Sequence, residues 1–287
     1  MRYKNTVTAL VFSIVILAST ATLVGIFSDN GQGPYPYRSI RGEIVNIYGK
    51  GLYQHMSEEV AIQGIAQDIV TFFVANPLLL ISLFFALKSS LKSRIVLSGT
   101  LAYFLVTYAF YLNMAMYNVL FLIYAALMGL SFFGLAIVAS TFDLEKLREK
   151  FQANSALKFA GIFLIFNAIA IGILWLGIVV PPLVDGTLYP KTLEHYTTLI
   201  VQGNDLGLLL PLAFVSGYLL LKKKRPAFLL APVYLVFLSL LMTALVAKVA
   251  YMGVSGYNTF PVVIIIPAFA IISIVCSVLT LRDVHQD

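Results

Sequence analysis

Two carboxylates fall inside apolar stretches of this chain, Asp68 and Asp205, and each follows a carboxamide, in Gln67-Asp68 and Asn204-Asp205. An ionisable side chain costs about 2.5–3.5 kcal/mol at the centre of a membrane span, so it ordinarily turns to a partner, a polar cavity or a ligand. Near a helix start the cost is smaller and the macrodipole favours an anion. A helix-end or interhelical hydrogen bond is therefore the competing explanation for both. Lys248 also interrupts an apolar stretch, and residue counting puts it at the depth of Asp205 on the next segment, so an ion pair between Asp205 and Lys248 is expected. Asp68 has no matching cation; Tyr108, Tyr111 and Asn113 fall near its level instead. A carboxylate without a neutralising partner is freer to hold a proton, a cation or a ligand amine. The candidate ligand-binding set is Gln63, Gln67, Asp68, Tyr108, Tyr111, Asn113, Asn204 and Asp205.

The elements that must position these groups follow from composition. Hydrophobic residues make up 60% of the chain and charged residues 11%, with a mean hydropathy of +0.92, against about 45–50% and 25% for soluble domains. A span needs about 20 apolar residues, and such stretches lie near 6–27, 67–87, 95–116, 119–140, 157–183, 199–221, 227–252 and 260–281. The fold class is all-α, a polytopic membrane protein of eight helices. Met1 to Asn5 before an apolar run imitates a secretory signal, but the run of about 22 residues exceeds the 7–15 of a signal core, so it is taken as the first span.

The net charge of +6 and pI near 9.3 reflect topology and not nucleic-acid affinity. Arg2, Lys4, Lys88, Lys92, Arg94, Lys146, Arg148, Lys150, Lys158, Lys222, Lys223, Lys224, Arg225 and Arg282 share one side, whereas only Arg38, Arg41, Lys50 and Lys191 fall on the other. The positive-inside rule then puts both termini in the cytoplasm of a cell-membrane protein.

The chain divides into halves, 1–140 and 141–287, that follow one plan. Leu52-Tyr53 and Leu188-Tyr189, Gln67-Asp68 and Asn204-Asp205, Pro77 and Pro211, and Tyr117-Asn118 and Tyr257-Asn258 recur in order, with a spacing that drifts only from 134 to 140 residues. Four spans per unit make these parallel repeats about an axis along the membrane normal. The halves differ in a long outer connection, 28–66, punctuated by Gly31, Gly33, Pro34, Pro36, Gly42, Gly49 and Gly51. Ser57 as N-cap, Glu58 and Glu59 in a first turn, and Glu59, Gln63 and Gln67 at four-residue spacing predict a short outer helix running into segment two. Asn118 and Asn258 are expected to cap the helices that follow them.

The stretches Gly49-Lys50-Gly51-Leu52-Tyr53, Ala61 to Asp68, and Tyr117-Asn118 with Leu120-Phe121-Leu122 resemble a group of uncharacterised bacterial multi-pass membrane proteins. The resemblance covers roughly residues 40–140; it implies the same topology and draws attention to Gln67-Asp68, and it transfers no activity. The eight-span plan also resembles that of the haem A synthases, which present axial histidines from their spans. His55 and His195 lie in outer connections and no histidine lies inside a span, so haem is not expected. No phosphate loop, metal-ligand cluster or nucleophile motif occurs, and no cofactor or metal is expected. Cys276, the one cysteine, is read as a small hydrophobe.

Three functions compete. The first is solute or lipid handling through an outward-facing polar pocket between the halves, with membrane lipids and a lipophilic small molecule as partners. A membrane-embedded enzyme acting on a lipid or quinone is the second, with Asp68 as acid or base beside a tyrosine. In the third, a non-catalytic assembly or sensory subunit, the long outer connection and the inner loop Glu145 to Lys150 would meet a partner.

Overall fold

The computed structural model describes residues 3–114, 116–151, 155–282 and 284; Arg2, counted above among the inner cations, lies outside them. Among the described residues, eight helices are long and apolar enough to cross a membrane. They are α1 (Lys4–Phe27), α2 (Glu58–Leu87), α3 (Leu91–Met114), α4 (Phe121–Ser140), α5 (Ser155–Asp185), α6 (Ile200–Leu221), α7 (Ala227–Val254) and α8 (Val262–Arg282). In hydrocarbon every backbone N–H and C=O must be satisfied within the segment, which makes these runs helical. Large apolar side chains such as Phe84, Phe133, Ile173 and Ile264 stay exposed on the bundle surface, where lipid is their solvent. The chain is a multi-pass membrane protein.

Each run of four helices closes into a ring. α1, α2, α3 and α4 pack in succession and α4 returns to α1; α5 to α8 do the same. The rings meet through α7, which lies along both α2 and α3. Small residues permit the tightest crossings: a Cβ on Gly217 of α6 would come within 2.5 Å of the Gly161 carbonyl on α5.

The short helix expected after Ser57 is present and continues without a break into α2. Ser57 stands at the N-cap position, but its hydroxyl makes no cap bond and lies 3.3 Å from the Tyr196 hydroxyl. Both α2 and α6 contain one π-helical turn, Thr71–Ala75 and Asp205–Leu209, and in each a proline, Pro77 or Pro211, follows two residues after it. Proline lacks an N–H and crowds the preceding turn, and a widened turn absorbs the conflict. The aspartates stand differently to these turns: Asp205 opens its π turn, whereas Asp68 precedes its own by three residues. Asn118 and Asn258 do not occupy N-cap positions. Each instead accepts from the backbone N–H two residues on, Leu120 at 2.9 Å and Phe260 at 3.1 Å, closing the turn ahead of α4 and α8.

The long first connection is more ordered than its turn residues predict. β1 (Tyr35–Arg38) and β2 (Ile44–Ile47) pair antiparallel, Tyr35 opposite Ile47 and Arg38 opposite Ile44. Strands of four residues carry too little alternation to be seen in the sequence. The second connection folds onto this hairpin. The Arg41 guanidinium donates to the Glu194 carbonyl at 3.2 Å, the Tyr189 hydroxyl donates to the Arg41 carbonyl at 3.2 Å, and the Ser57 N–H donates to the Tyr196 hydroxyl at 3.1 Å. His195 is half-buried, with Nε2 3.0 Å from the His55 carbonyl and its ring against Tyr37 and Tyr196.

Candidate functional site

Asp68 is enclosed, with 3% of its surface exposed. The Tyr53 hydroxyl donates to its Oδ2 at 2.5 Å and the Tyr111 hydroxyl donates to Oδ1 at 2.9 Å. Tyr111 also stands 3.0 Å from the Gly64 carbonyl, so its single proton is shared between two acceptors. Burial first, and then the Asp68 charge, push the Tyr53 phenol well up, which keeps it protonated and a donor.

Three elements place these groups. Tyr53 ends a single helical turn, Gly51–Tyr53, tucked beneath the end of α1. The Leu52 N–H donates to Ser28 Oγ at 2.8 Å, and the Gly51 N–H donates to the Asn30 carbonyl at 2.6 Å. Gly51 has φ of +54°, and a side chain there would strike the Ser28 carbonyl, so glycine is what lets the turn close under the helix. On α1, a Cβ at Gly25 would fall 1.9 Å from Asp68 Oδ2; that bare helix face makes room for the carboxylate. From α3 comes Tyr111, within a cluster in which Tyr108 stacks on Phe104 and Tyr124.

Gln67 belongs to the same polar seam. Its Nε2 donates to the Tyr103 hydroxyl at 2.7 Å and lies 3.4 Å from Thr107 Oγ1, while Thr71 Oγ1 donates to the Gln67 carbonyl at 2.8 Å and lies 2.9 Å from the Tyr103 hydroxyl. Thr71 opens the π turn of α2, so the network braces the start of the widened turn. Tyr234 on α7 serves α6 similarly, donating to the Leu209 carbonyl at the end of its π turn at 2.9 Å.

The expected ion pair is not formed. Asp205 Oδ2 accepts from the Trp175 indole of α5 at 2.7 Å, with no cation among the described residues within 4 Å of it. Lys248 acts on the other aspartate, because α7 packs along α2: its charge acts on Asp68, though no carboxylate among the described residues lies within 4 Å of its ammonium. Residue counting fixes depth and not rotation about the helix.

Three more candidates stand apart from Asp68. Asn113 and Asn204 are exposed and turn back to their own helices, donating to the Ala109 carbonyl at 2.7 Å and the Ile200 carbonyl at 3.0 Å. Gln63 is half-buried and reaches Glu59 at 3.4 Å. Tyr108 is buried beside the site, its hydroxyl without a hydrogen-bond partner among the described residues. The structure therefore gathers Gln67, Asp68, Tyr108 and Tyr111 and adds Tyr53, Tyr103 and Lys248. Asp205 and Asn204 belong to separate surroundings, bonded to the Trp175 indole and to the Ile200 carbonyl. A small cleft of about 100 Å³ at the turn between α3 and α4, lined in part by Tyr111, Tyr117, Phe121 and Tyr124, adjoins the site through Tyr111.

Chemically, the arrangement can hold and release a proton or bind a small cation at a carboxylate between two phenols. No group of three His, Cys, Asp or Glu that could hold a metal occurs among the described residues. Comparison with protein-family models, with curated proteins and with solved structures gives no match.

Proposed function

We propose that the chain is a solute- or lipid-handling protein of the cell membrane, that Asp68 is its working group, and that the structure is its closed state. The basic ends of the helices face the cytoplasm, and Tyr53 closes Asp68 from the opposite side. Supporting this reading is one observation: a carboxylate buried within an apolar bundle, held only by phenols, with a lysine on the facing helix that acts on it but forms no ion pair. A purely structural group at this depth is better served by a close pair or by a neutral side chain. The two four-helix rings, with their matching π turns and prolines, fit a duplicated architecture in which one half has kept the site. Because Tyr53 is carried by a connection and not by a span, it can move without unpacking a helix. Quantitative mass spectrometry of small molecules co-purifying with the wild type and with Asp68→Asn tests the proposal. A species present near one per protein should fall at least about tenfold in the variant, equivalent to 1.4 kcal/mol. Equal amounts in two equally folded proteins would refute it.

A further inference from the structure

A second feature lies at the opposite ends of the helices. Arg148, Lys222, Lys223, Lys224 and Arg225 line a cleft of about 640 Å³, together with Leu219 and Pro226. Its cations converge from two places in the chain: Arg148 from the short helix Leu144–Glu149 that links the halves, the other four from the turn between α6 and α7. Acidic neighbours neutralise little of it. Glu145 takes Arg225 at 2.5 Å and Asp143 takes Lys146 at 3.7 Å, and no carboxylate among the described residues lies within 4 Å of Arg148, Lys222, Lys223 or Lys224. A general excess of cations on one membrane face needs no cleft; here four cations with no carboxylate within 4 Å among the described residues, and Arg225 beside them, surround one concavity.

Leu219, inside the cleft, continues a stripe of α6 through Val215, Leu212 and Leu208, spaced to share one helix face. Val215 and Leu212 are exposed, and so is Leu208, at 60%. Charge at the membrane surface therefore passes directly into an apolar track along a span. A free phosphate would use only the first; a phospholipid uses both.

We propose that this cleft binds the phosphate headgroup of an anionic glycerophospholipid, with an acyl chain along the Leu208 to Leu219 face of α6. Basic pockets between spans on the cytoplasmic side recognise such headgroups by charge. The site is independent of Asp68. Native mass spectrometry of the full chain, titrated with phosphatidylglycerol, phosphatidylcholine or inorganic phosphate, tests it. Phosphatidylglycerol should be retained over phosphatidylcholine, and retention should weaken about fivefold for each cation removed, in Lys222→Gln/Lys223→Gln/Lys224→Gln and, should that variant not insert, in Arg148→Gln. Asp68→Asn should leave retention unchanged. Equal retention of the two lipids, undiminished binding by the variants, or displacement of the lipid by equimolar inorganic phosphate would overturn the proposal.

Discussion

Tyr53 and Tyr111 each have one phenolic proton, and Asp68 offers an oxygen to each. Leaving a buried polar group without its hydrogen-bond partner costs about 1–3 kcal/mol, so Tyr53→Phe should lower stability by roughly that amount in thermal or denaturant unfolding. In an Asp68→Asn background the same substitution should cost less, and the difference is the coupling a double-mutant cycle measures. Asp68 was legible in the sequence because a charge stands out against apolar neighbours. Tyr53 was not, since a tyrosine in a connection looks like any interfacial aromatic. Lys248 was assigned the wrong partner, because counting residues along a span does not reveal which neighbouring helix each of its faces meets.

At the scale of elements, the two π turns organise the interior. Tyr103 supports that of α2 through Gln67 and Thr71, and Tyr234 supports that of α6 through one backbone carbonyl. Tyr103→Phe leaves the buried Gln67 amide without its shortest hydrogen bond and should cost about 1–3 kcal/mol, whereas Tyr234→Phe should cost nearer 1 kcal/mol; calorimetry or chemical unfolding of the two variants checks the order. Spans were visible in the sequence from length and hydropathy alone. The π turns were not, because a widened turn leaves no hydrophobic period; Pro77 and Pro211 marked their place without naming their form. The hairpin of β1 and β2 escaped for lack of length.

For the whole molecule, two ties hold the architecture: α7 between the rings, and the second connection folded on the hairpin. Tyr196 sits in the latter tie, its phenol pushed up to about 12 by burial and by the charges of Glu194 and Glu59, against the hydrogen bonds from Ser57. A phenol raised in the folded state contributes stability that is fully present below the unfolded value near 10 and lost as pH rises through the folded one. Protection of the hairpin amides, taken relative to the intrinsic base-catalysed exchange rate at each pH, should therefore fall between about pH 10 and 12, and Tyr196→Phe should remove that fall. Whether Asp68 is there for function or for the fold is decided most directly by the unfolding temperature of Asp68→Asn beside the wild type in the same detergent. A carboxylate kept for its work is a burden on the apolar bundle, so the neutral variant should unfold at the same temperature or a higher one. A fall of several degrees would make Asp68 a structural tie between α2, α3 and the Tyr53 turn, and would contradict its role as the working group.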